Sequence, residues 1–461
     1  RGAGPEILHW TMGSGLSAAR DLPRRQLERR WSLNPRDLRS TSSPQSAPDK
    51  VRRHSTQTWI SRRSREDESQ RANEPARRYR DTDALAAQLK PVPPHSISVT
   101  HAKVAPERLP ITPVRLLRAS WLIRQAELNR AGLPDRKKLE EQEPDAYVPD
   151  NQLAEVLRET KEAAAHGTGV MWYPPVLVIS YAWRTPDHPD PSGSLLANLA
   201  PVLEWYVSER ARMQQEGQVR GQEAAVFMDF WSLYQPAKAG RGAEADEMEE
   251  AVFESALMSM DAWFGHAGTV TLLMTRPPTD WGVVPAERTH SGRGWCFFER
   301  HVSSLAKVGT HVLDCGLFDA KLLVSRYPGA KSIGDGQFGA KGLATLAAQA
   351  TGEDRAGGPF LSSLIQSSRL GPVHPERFQQ ALKDMQFSNE GDRAKVAVLY
   401  GAVARAVLGC VPSISYSHVR WRQLDFTNCG DALKMCGALE SLRLNDAGMD
   451  AAGVRALLGA L

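Results

Sequence analysis

The stretch VLVISY, residues 176–181, is an uninterrupted apolar run that ends in two polar side chains. A second run of the same kind, AVFMDF at residues 225–230, ends in an acid and an aromatic ring. Apolar strands without polar alternation are typical of a parallel sheet that is covered on both faces. Two further runs, at 269–274 and 310–315, follow at spacings that leave room for a helix in between. The sequence therefore predicts an α/β fold built on a parallel sheet.

Apolar residues recur at helical spacing in the stretches between these runs, and also before the first run and after the last one. The predicted helices span residues 111–133, 151–165, 195–213, 247–264, 295–308, 375–385 and 392–408. Strands and helices in alternation, with short connections, indicate right-handed strand–helix–strand units. Such units place helices on both faces of the sheet.

The charge of the chain is distributed unevenly. The 461 residues together carry a formal charge of +4 and are 41% hydrophobic, which is ordinary for a globular protein. The basic excess lies mostly before about residue 130, where arginines are scattered among Ser, Pro, Gln and Asn. Since few aliphatic side chains are present to bury, residues 1–110 are predicted to be a disordered basic region. A basic tail can bind nucleic acid, but this one lacks interleaved aromatic pairs, so a nucleic-acid partner is not expected.

The five cysteines are widely spaced, and no pair has the spacing of a zinc site. Neither a metal site nor a disulfide scaffold is predicted, and a reduced, cytoplasmic location is expected. No apolar run reaches the roughly 20 residues of a membrane-spanning helix, so no transmembrane segment is predicted. Because the chain begins with Arg1 rather than Met, we expect it to be a piece of a longer protein.

The end of the chain has a pattern of its own. LESLRLN at residues 439–445, followed by Gly448 and an Ala- and Leu-rich helix, fits one leucine-rich repeat. An earlier copy is suggested by Trp421, Leu424, Phe426 and Asn428. Because one or two repeats cannot close a core alone, residues 416–461 are predicted to start a longer leucine-rich repeat (β/α solenoid) array that binds a protein partner. A helical linker is predicted at 111–165, and a glycine-rich loop and helical connector at 319–415.

The segment RGWCFFE, residues 293–299, places a single carboxylate, Glu299, one turn into the third predicted helix of the sheet region. Its neighbours are aromatic. Open α/β sheets build their sites at the carboxyl ends of the strands, and this helix follows such an end. Glu299 is therefore the best candidate for chemistry in the chain. The alternative interpretation is a solvent-facing helix carboxylate paired with a neighbouring arginine.

Residues 172–315 resemble a Toll/interleukin-1 receptor (TIR) domain, which has a flavodoxin-like parallel sheet. VISY at 178–181 resembles the opening strand of the family, and FMDF at 227–230, followed by SL, resembles its second strand and the next loop. GWCFFE at 294–299 resembles the plant-type segment in which Trp-Cys precedes the glutamate of the third helix. The resemblance implies a TIR-like α/β domain over residues 166–318.

Enzymatic members of that family cleave NAD at the nicotinamide–ribose bond. The resemblance therefore implies that Glu299 is catalytic and that NAD is a substrate, with no cofactor required. Cleavage of a glycosidic bond builds positive charge on the ribose, which a nearby buried carboxylate stabilises. The substrate pocket that the resemblance implies is lined by Ser180, Tyr181 and Trp183 after the first strand, by Asp229 after the second, and by Trp295 as a stacking ring.

Two loops are longer than in the family, at residues 188–193 and at 235–250, and the second of them is acidic. They leave a second interpretation open, in which the same fold is a non-enzymatic module for homotypic self-association and protein–protein interaction. A third interpretation is a nucleoside transferase-like enzyme, because a lone glutamate beside such a sheet also suits base exchange at a sugar. The sequence leaves all three open.

Overall fold

The computed structural model describes residues 9–11, 78–91, 112–165, 173–235, 247–307, 311–317, 369–416, 419, 421–444 and 447–460. Most of the predicted disordered region and of the predicted glycine-rich loop lies outside these residues. For residues 78–91 the prediction of disorder is wrong. Leu85 is fully buried, and the hydroxyl of Tyr79 donates a 2.8 Å hydrogen bond to Asp261. These few apolar side chains pack against the α/β core despite the arginines around them.

The strands and helices are numbered in chain order. The strands are β1 (His9–Thr11), β2 (Leu117–Arg118), β3 (Val176–Tyr181), β4 (Ala225–Phe227), β5 (Val270–Met274), β6 (Val312–Asp314), β7 (Ser413–Ser415) and β8 (Ser441–Arg443). The helices are α1 (Asp83–Gln88), α2 (Ala119–Glu127), α3 (Arg136–Gln142), α4 (Asp150–Ala165), α5 (Ser194–Gln215), α6 (Asp229–Ser232), α7 (Glu247–Leu257), α8 (Met260–Gly265), α9 (Gly294–Ala306), α10 (Pro375–Ala381), α11 (Asp392–Cys410), α12 (Gln423–Leu433) and α13 (Ala451–Ala460). None of the described helices is both long and apolar enough to cross a membrane.

The main sheet has five described strands in the order β2-β4-β3-β5-β6. β4, β3, β5 and β6 pair in parallel, which confirms the predicted α/β architecture with a mostly parallel sheet. β2 is antiparallel to β4. The helix predicted at 111–133 is therefore wrong in its first part, since α2 starts only at Ala119. Leu117 and Arg118 pair with the open edge of β4, and this tertiary pairing overrides helical propensity.

Two further element boundaries differ from the sequence prediction. The strand predicted at 225–230 ends earlier, at Phe227, because Asp229 begins the short helix α6. The helix predicted at 247–264 is interrupted between Leu257 and Met260, which separates α7 from α8.

Helices cover both faces of the sheet, as its apolar strands require. All six residues of β3 are buried, and they alternate between two clusters of core side chains. Leu177 and Ile179 belong to the cluster that contains α2 and α5, whereas Val176 and Val178 belong to the cluster that contains α8 and α9. The polar side chains of β3 are therefore confined to its carboxyl end.

The cluster around α8 and α9 continues into the helical connector and the carboxyl-terminal region. Phe297 of α9 stacks on Phe378 of α10 with ring centroids 5.0 Å apart, and Phe378 stacks on Tyr400 of α11 at 3.7 Å. The buried guanidinium of Arg369 donates hydrogen bonds to two carbonyl oxygens in the last turn of α9. The packing of the sheet region therefore does not stop at residue 318.

A second, smaller sheet has the order β1-β8-β7, with both pairs parallel. Ser413 of β7 pairs with Ser441 of β8, 28 residues later, and a helix follows each of these strands, α12 after β7 and α13 after β8. The residues suggested as an earlier repeat copy, 421–428, form no strand and lead into helix α12, and the strand that pairs with β8 on this side is β7. Asn445 of the second copy lies outside the described residues, and the repeat array stays a prediction.

The first of the two long loops, 188–193, is held firmly in place. The carboxylate of Asp190 accepts hydrogen bonds from the backbone amides of Leu195, at 3.0 Å, and Leu196, at 2.9 Å, at the start of α5. Gly193 has a φ of 76°, and a Cβ there would lie 2.5 Å from a carbonyl oxygen of the neighbouring chain segment, so only glycine fits. In the second long loop, residues 236–246 lie outside the described residues.

Candidate functional site

The polar side chains that follow the strands meet at one edge of the main sheet. Ser180 and Tyr181 end β3, Asp229 starts α6 directly after β4, and Glu299 lies in the second turn of α9. The strand order reverses at β3, because the chain moves from β3 to β4 on one side and then crosses to β5 on the other. In open α/β sheets such a reversal opens a crevice at the carboxyl ends of the strands, where ligands bind.

Glu299 lies deep in this crevice. It is only 6% exposed, and its Oε2 accepts a 2.6 Å hydrogen bond from the hydroxyl of Ser180. Burial raises the pKa of Glu299 to about 8, and the charge of Asp229 adds to the rise, whereas the Ser180 hydrogen bond opposes it. The interpretation of Glu299 as a solvent-facing carboxylate is therefore wrong. A carboxyl group with a pKa near neutrality can gain and lose a proton during a reaction.

His290, which sequence reasoning missed, completes a chain of hydrogen bonds to Glu299. Its Nε2 lies 2.8 Å from the hydroxyl of Ser180, which is fully buried. Burial, with a contribution from the charge of Arg300, lowers the pKa of His290 to about 3, so its ring is neutral at physiological pH. With its proton on Nε2, His290 donates to Ser180, and Ser180 donates to Glu299. Ser180, predicted to line the substrate pocket, thus lies behind the carboxylate and positions it.

Asp229 accepts hydrogen bonds from Tyr181 and Trp183, the aromatic side chains that were predicted to line the same pocket. Its Oδ1 accepts hydrogen bonds from the Tyr181 hydroxyl and, at 2.7 Å, from the backbone amide of Phe230. Its Oδ2 accepts a 3.1 Å bond from the indole nitrogen of Trp183. Burial raises the pKa of Asp229, although these three donors oppose the rise. The structure therefore brings Tyr181, Trp183 and Asp229 together as one rigid group.

Trp295 and Cys296 fix the start of α9 against its surroundings. The indole of Trp295 donates a 3.1 Å hydrogen bond to Oδ2 of Asp392, the first residue of α11. The thiol of Cys296 donates to the carbonyl oxygen of Tyr181 at 3.3 Å, and burial raises its pKa well above the ordinary value. Cys296 is therefore an inert packing residue rather than a nucleophile.

A cleft of about 420 Å³ opens beside these residues, and its volume is in the range of small-molecule sites. The predicted site residues that line it are Tyr181, Trp183, Asp229, Trp295 and Glu299. Ser180 does not line it. Four of the five predicted substrate-binding residues therefore share one cleft with Glu299.

One wall of the cleft comes from a segment that sequence reasoning missed, residues 386–389 and Asp392. The backbone amide of Gln386 donates to the carbonyl of Gly292 at 2.8 Å, and the amide of Gly294 donates to the carbonyl of Gln386 at 2.9 Å. A Cβ at position 294 would lie 1.9 Å from the ring of Phe387, so a glycine here lets the segment approach α9 closely.

The charges of the cleft are mostly negative. Its lining carboxyl groups are those of Asp187, Asp229, Glu250, Glu254, Glu299 and Asp392. Arg293 is the one basic residue in the described lining, and its guanidinium donates a 2.5 Å hydrogen bond to Ser388. Just outside the lining, Lys395 bridges Glu254, at 2.9 Å, and Asp392, at 3.4 Å. The carboxylates therefore outnumber the cations.

This arrangement can move a proton at Glu299 and can hold a flat ring among aromatic side chains. Within the described part of the chain, no group of His, Cys, Asp and Glu side chains is arranged to hold a metal ion. No protein-family model matches the chain, and no curated protein and no solved structure shows a significant match to it.

Proposed function

We propose that this protein hydrolyses the N-glycosidic bond between nicotinamide and ribose in NAD or a related nicotinamide compound. Glu299 is the catalytic carboxylate. The observation that carries the proposal is the position of this group, which is buried, bonded to Ser180 at 2.6 Å, and part of the lining of a small-molecule-sized cleft at the carboxyl edge of the sheet.

The order of the parallel strands supports the TIR-like assignment within this proposal. Counted along the chain, β3, β4, β5 and β6 are the first to fourth parallel strands, and their spatial order is second, first, third, fourth. The flavodoxin-like order begins in the same way and places its ligand at the reversal between the first and third strands. Glu299 lies at that reversal through its bond to Ser180 of β3.

The chemistry of the bond suits this site. When the bond between the pyridinium nitrogen and C1′ of the ribose breaks, its electron pair leaves with nicotinamide, which becomes neutral, and positive charge develops on the sugar. The carboxylate of Glu299 stabilises that charge. A water molecule then adds to C1′ and gives up a proton, which Glu299 accepts and passes to solvent. The positive ring of the bound substrate favours the ionised form of Glu299 before the reaction.

The hydrogen-bond chain prepares Glu299 for this role. Ser180 donates to one carboxylate oxygen and so orients the group, and His290 holds the Ser180 hydroxyl in place. No hydrogen bond to the second oxygen, Oε1, is found among the described residues, so this oxygen is available to a ribose hydroxyl or to the attacking water. Ser180 and His290 are therefore positioning residues.

A non-enzymatic role in assembly is the second candidate. It is favoured by the two strand–helix units β7–α12 and β8–α13, whose strands lie side by side at a spacing of 28 residues. This spacing is within the range of leucine-rich repeats, so we propose that these units bind a protein partner. The two candidates are compatible if the repeats select a partner and the cleft carries out the reaction.

The proposal is tested with the full chain and each of three substrates, NAD, nicotinamide mononucleotide and nicotinamide riboside, by chromatographic detection of released nicotinamide. Glu299→Gln should lower the rate at least about a hundredfold, because the charge that stabilises the transition state is removed while the side-chain shape is kept. The matched control Glu141→Gln removes an exposed carboxylate on α3 that does not line the cleft, and it should leave the rate unchanged. Equal rates for wild type and Glu299→Gln would rule out the catalytic assignment. A wild-type chain that releases no nicotinamide but self-associates in light scattering would favour the assembly role.

A further inference from the structure

The charge of the cleft restricts which nicotinamide compound fits it. Glu250 and Glu254 lie on consecutive turns of α7, and Asp392 begins α11 on the wall beside them. Among the described residues, six carboxyl groups line the cleft with one cation, Arg293, and Lys395 lies just outside the lining between two of these carboxyl groups. With Glu299 protonated in the free protein, five remain. A low-dielectric cleft with an excess of one charge concentrates ligands of the opposite charge.

Aromatic side chains give this negative cleft a preference for a flat cation. Trp183, Phe230, Phe253, Trp295 and Phe387 all contribute to the lining. The ring of Trp183 meets that of Phe230 edge to face at 5.3 Å, and its indole is fixed by Asp229. A cation beside such rings gains from both the ring quadrupoles and the carboxylates. A quaternary pyridinium ring has the matching shape and charge.

The same cleft offers little to a phosphate group. Proteins bind phosphate with arginine or lysine side chains and with free amides at helix starts. Here the guanidinium of Arg293 is bonded to Ser388, and the first amide of α9, at Gly294, donates to Gln386. Lys395 is occupied by two carboxylates. A phosphate in this cleft would therefore meet mainly carboxylates of its own sign.

We propose that the cleft selects phosphate-free pyridinium ribosides, so that its substrate class is a cationic nucleoside such as nicotinamide riboside rather than the dinucleotide. This inference rests on the proposed function. The bond that is broken remains the nicotinamide–ribose bond, and only the molecule that contains this bond differs. The carboxylates of α7 and α11 and the aromatic walls attract the ring, and the same carboxylates repel a 5′-phosphate.

The test measures binding rather than turnover, with full-length Glu299→Gln protein and isothermal titration calorimetry near pH 7. Three probes are compared: nicotinamide riboside, nicotinamide mononucleotide, which adds one phosphate, and the reduced riboside, which has a neutral ring of nearly the same size. The cationic riboside should bind at least about tenfold more tightly than either other probe, which corresponds to about 1.4 kcal/mol. Raising the ionic strength from about 0.01 M to about 1 M should shrink the preference, since the Debye length falls from about 30 Å to about 3 Å.

Charge variants identify the residues responsible. In the Glu299→Gln background, Glu250→Gln removes an exposed carboxylate of the cleft and should narrow the gap between riboside and mononucleotide several-fold. Glu141→Gln makes the same change in net charge away from the cleft and should leave the gap unchanged.

Three results would overturn the inference: equal or tighter binding of the mononucleotide, equal binding of the oxidised and reduced ribosides, or no binding of any probe at millimolar concentration. Tighter binding of the mononucleotide that disappears in Arg293→Gln would assign a phosphate site to that arginine. Failure of the proposed function is distinguishable, because selective binding of the riboside without hydrolysis by the wild-type chain would contradict catalysis alone.

Discussion

Replacing Glu299 by glutamine should stabilise the protein, and the gain should grow with pH. The pKa of this carboxyl group is 4.5 at its ordinary value and about 8 in the folded chain, where burial disfavours its charged form. Below pH 4.5 the group is protonated in both states, and wild type carries no electrostatic penalty. Above that pH the unfolded chain releases the proton while the folded chain keeps it. Stability is therefore lost as the pH rises towards and through the folded pKa.

The size of the effect follows from the interval between the two pKa values. Each pH unit in this interval lowers the free energy of unfolding of wild type by about 1.4 kcal/mol, so the whole interval corresponds to about 5 kcal/mol. Between pH 5 and pH 8, where the comparison is practical, the expected change is roughly 3 to 4 kcal/mol. Glutamine has no proton to lose, and its side-chain oxygen still accepts the hydrogen bond from Ser180. The variant should therefore match wild type near pH 4.5 and exceed it at pH 8.

The measurement is urea unfolding of wild type and Glu299→Gln, followed by tryptophan fluorescence, at intervals between pH 5 and pH 9. Only the difference between the two proteins is interpreted, because Asp190 and Asp261 also have pKa values raised by burial and affect both proteins alike. Glu141→Gln, on the exposed face of α3, is the matched control and should give a difference that does not grow with pH. A difference between wild type and Glu299→Gln that stays constant across the range would refute the dry environment inferred for Glu299.

Two further predictions concern groups that touch the site or lie in its supporting core. Ser180→Ala removes the hydrogen bond that opposes the rise in the pKa of Glu299. The pH at which hydrolysis reaches half its maximum should therefore move upward. An unchanged pH profile would contradict the positioning role of Ser180. Lys307 is fully buried, its side-chain nitrogen donates to the hydroxyls of Thr269 at 2.6 Å and Thr271 at 2.8 Å, and burial lowers its pKa well below 10.5. Because the folded chain resists protonating this amine, stability is lost as the pH falls below 10.5. Lys307→Met should therefore raise the free energy of unfolding at neutral pH and change it little near pH 10.5, as urea unfolding would show.

The sheet could be predicted because its signal is local. The first four residues of β3 are apolar without interruption, and such a run is typical of a strand buried on both faces of a parallel sheet. Glu299 could be singled out in the same way, from a single acid among aromatic residues at the start of a helix. The edge strand β2 gave no such signal, since its two residues are strand only because β4 leaves an edge open beside them.

The rest of the site depends on contacts between distant parts of the chain. His290 begins a short 3₁₀ helix before α9, and nothing in its sequence neighbours indicates that Ser180, 110 residues earlier, is within 2.8 Å of it. Gln386 pairs with the backbone at Gly292 and Gly294 across a stretch that carries no periodic signal. A single sequence indicates periodicity and local propensity, but it does not indicate which loops contact each other in the folded chain. The close contact of Gly294 with Phe387 depends in the same way on segments that are far apart in the chain.

The acid–base character of Glu299 depends on residues well outside the sheet region. The start of α9 is held by Gln386, and its last turn is held by Arg369, whose guanidinium donates to the carbonyls of Ser304, at 2.9 Å, and Leu305, at 3.0 Å. The same guanidinium donates to a carbonyl of β7 in the second sheet. Burial is the main cause of the raised pKa of Glu299, and the helix that carries Glu299 is fixed at both ends by the chain after residue 368. Without that part, the cleft would lose the wall formed by residues 386–392, water would reach the carboxylate, and its pKa would fall towards the ordinary value. The proton-transfer role proposed for Glu299 is therefore a property of the junction between the sheet and the connector, and not of the sheet alone.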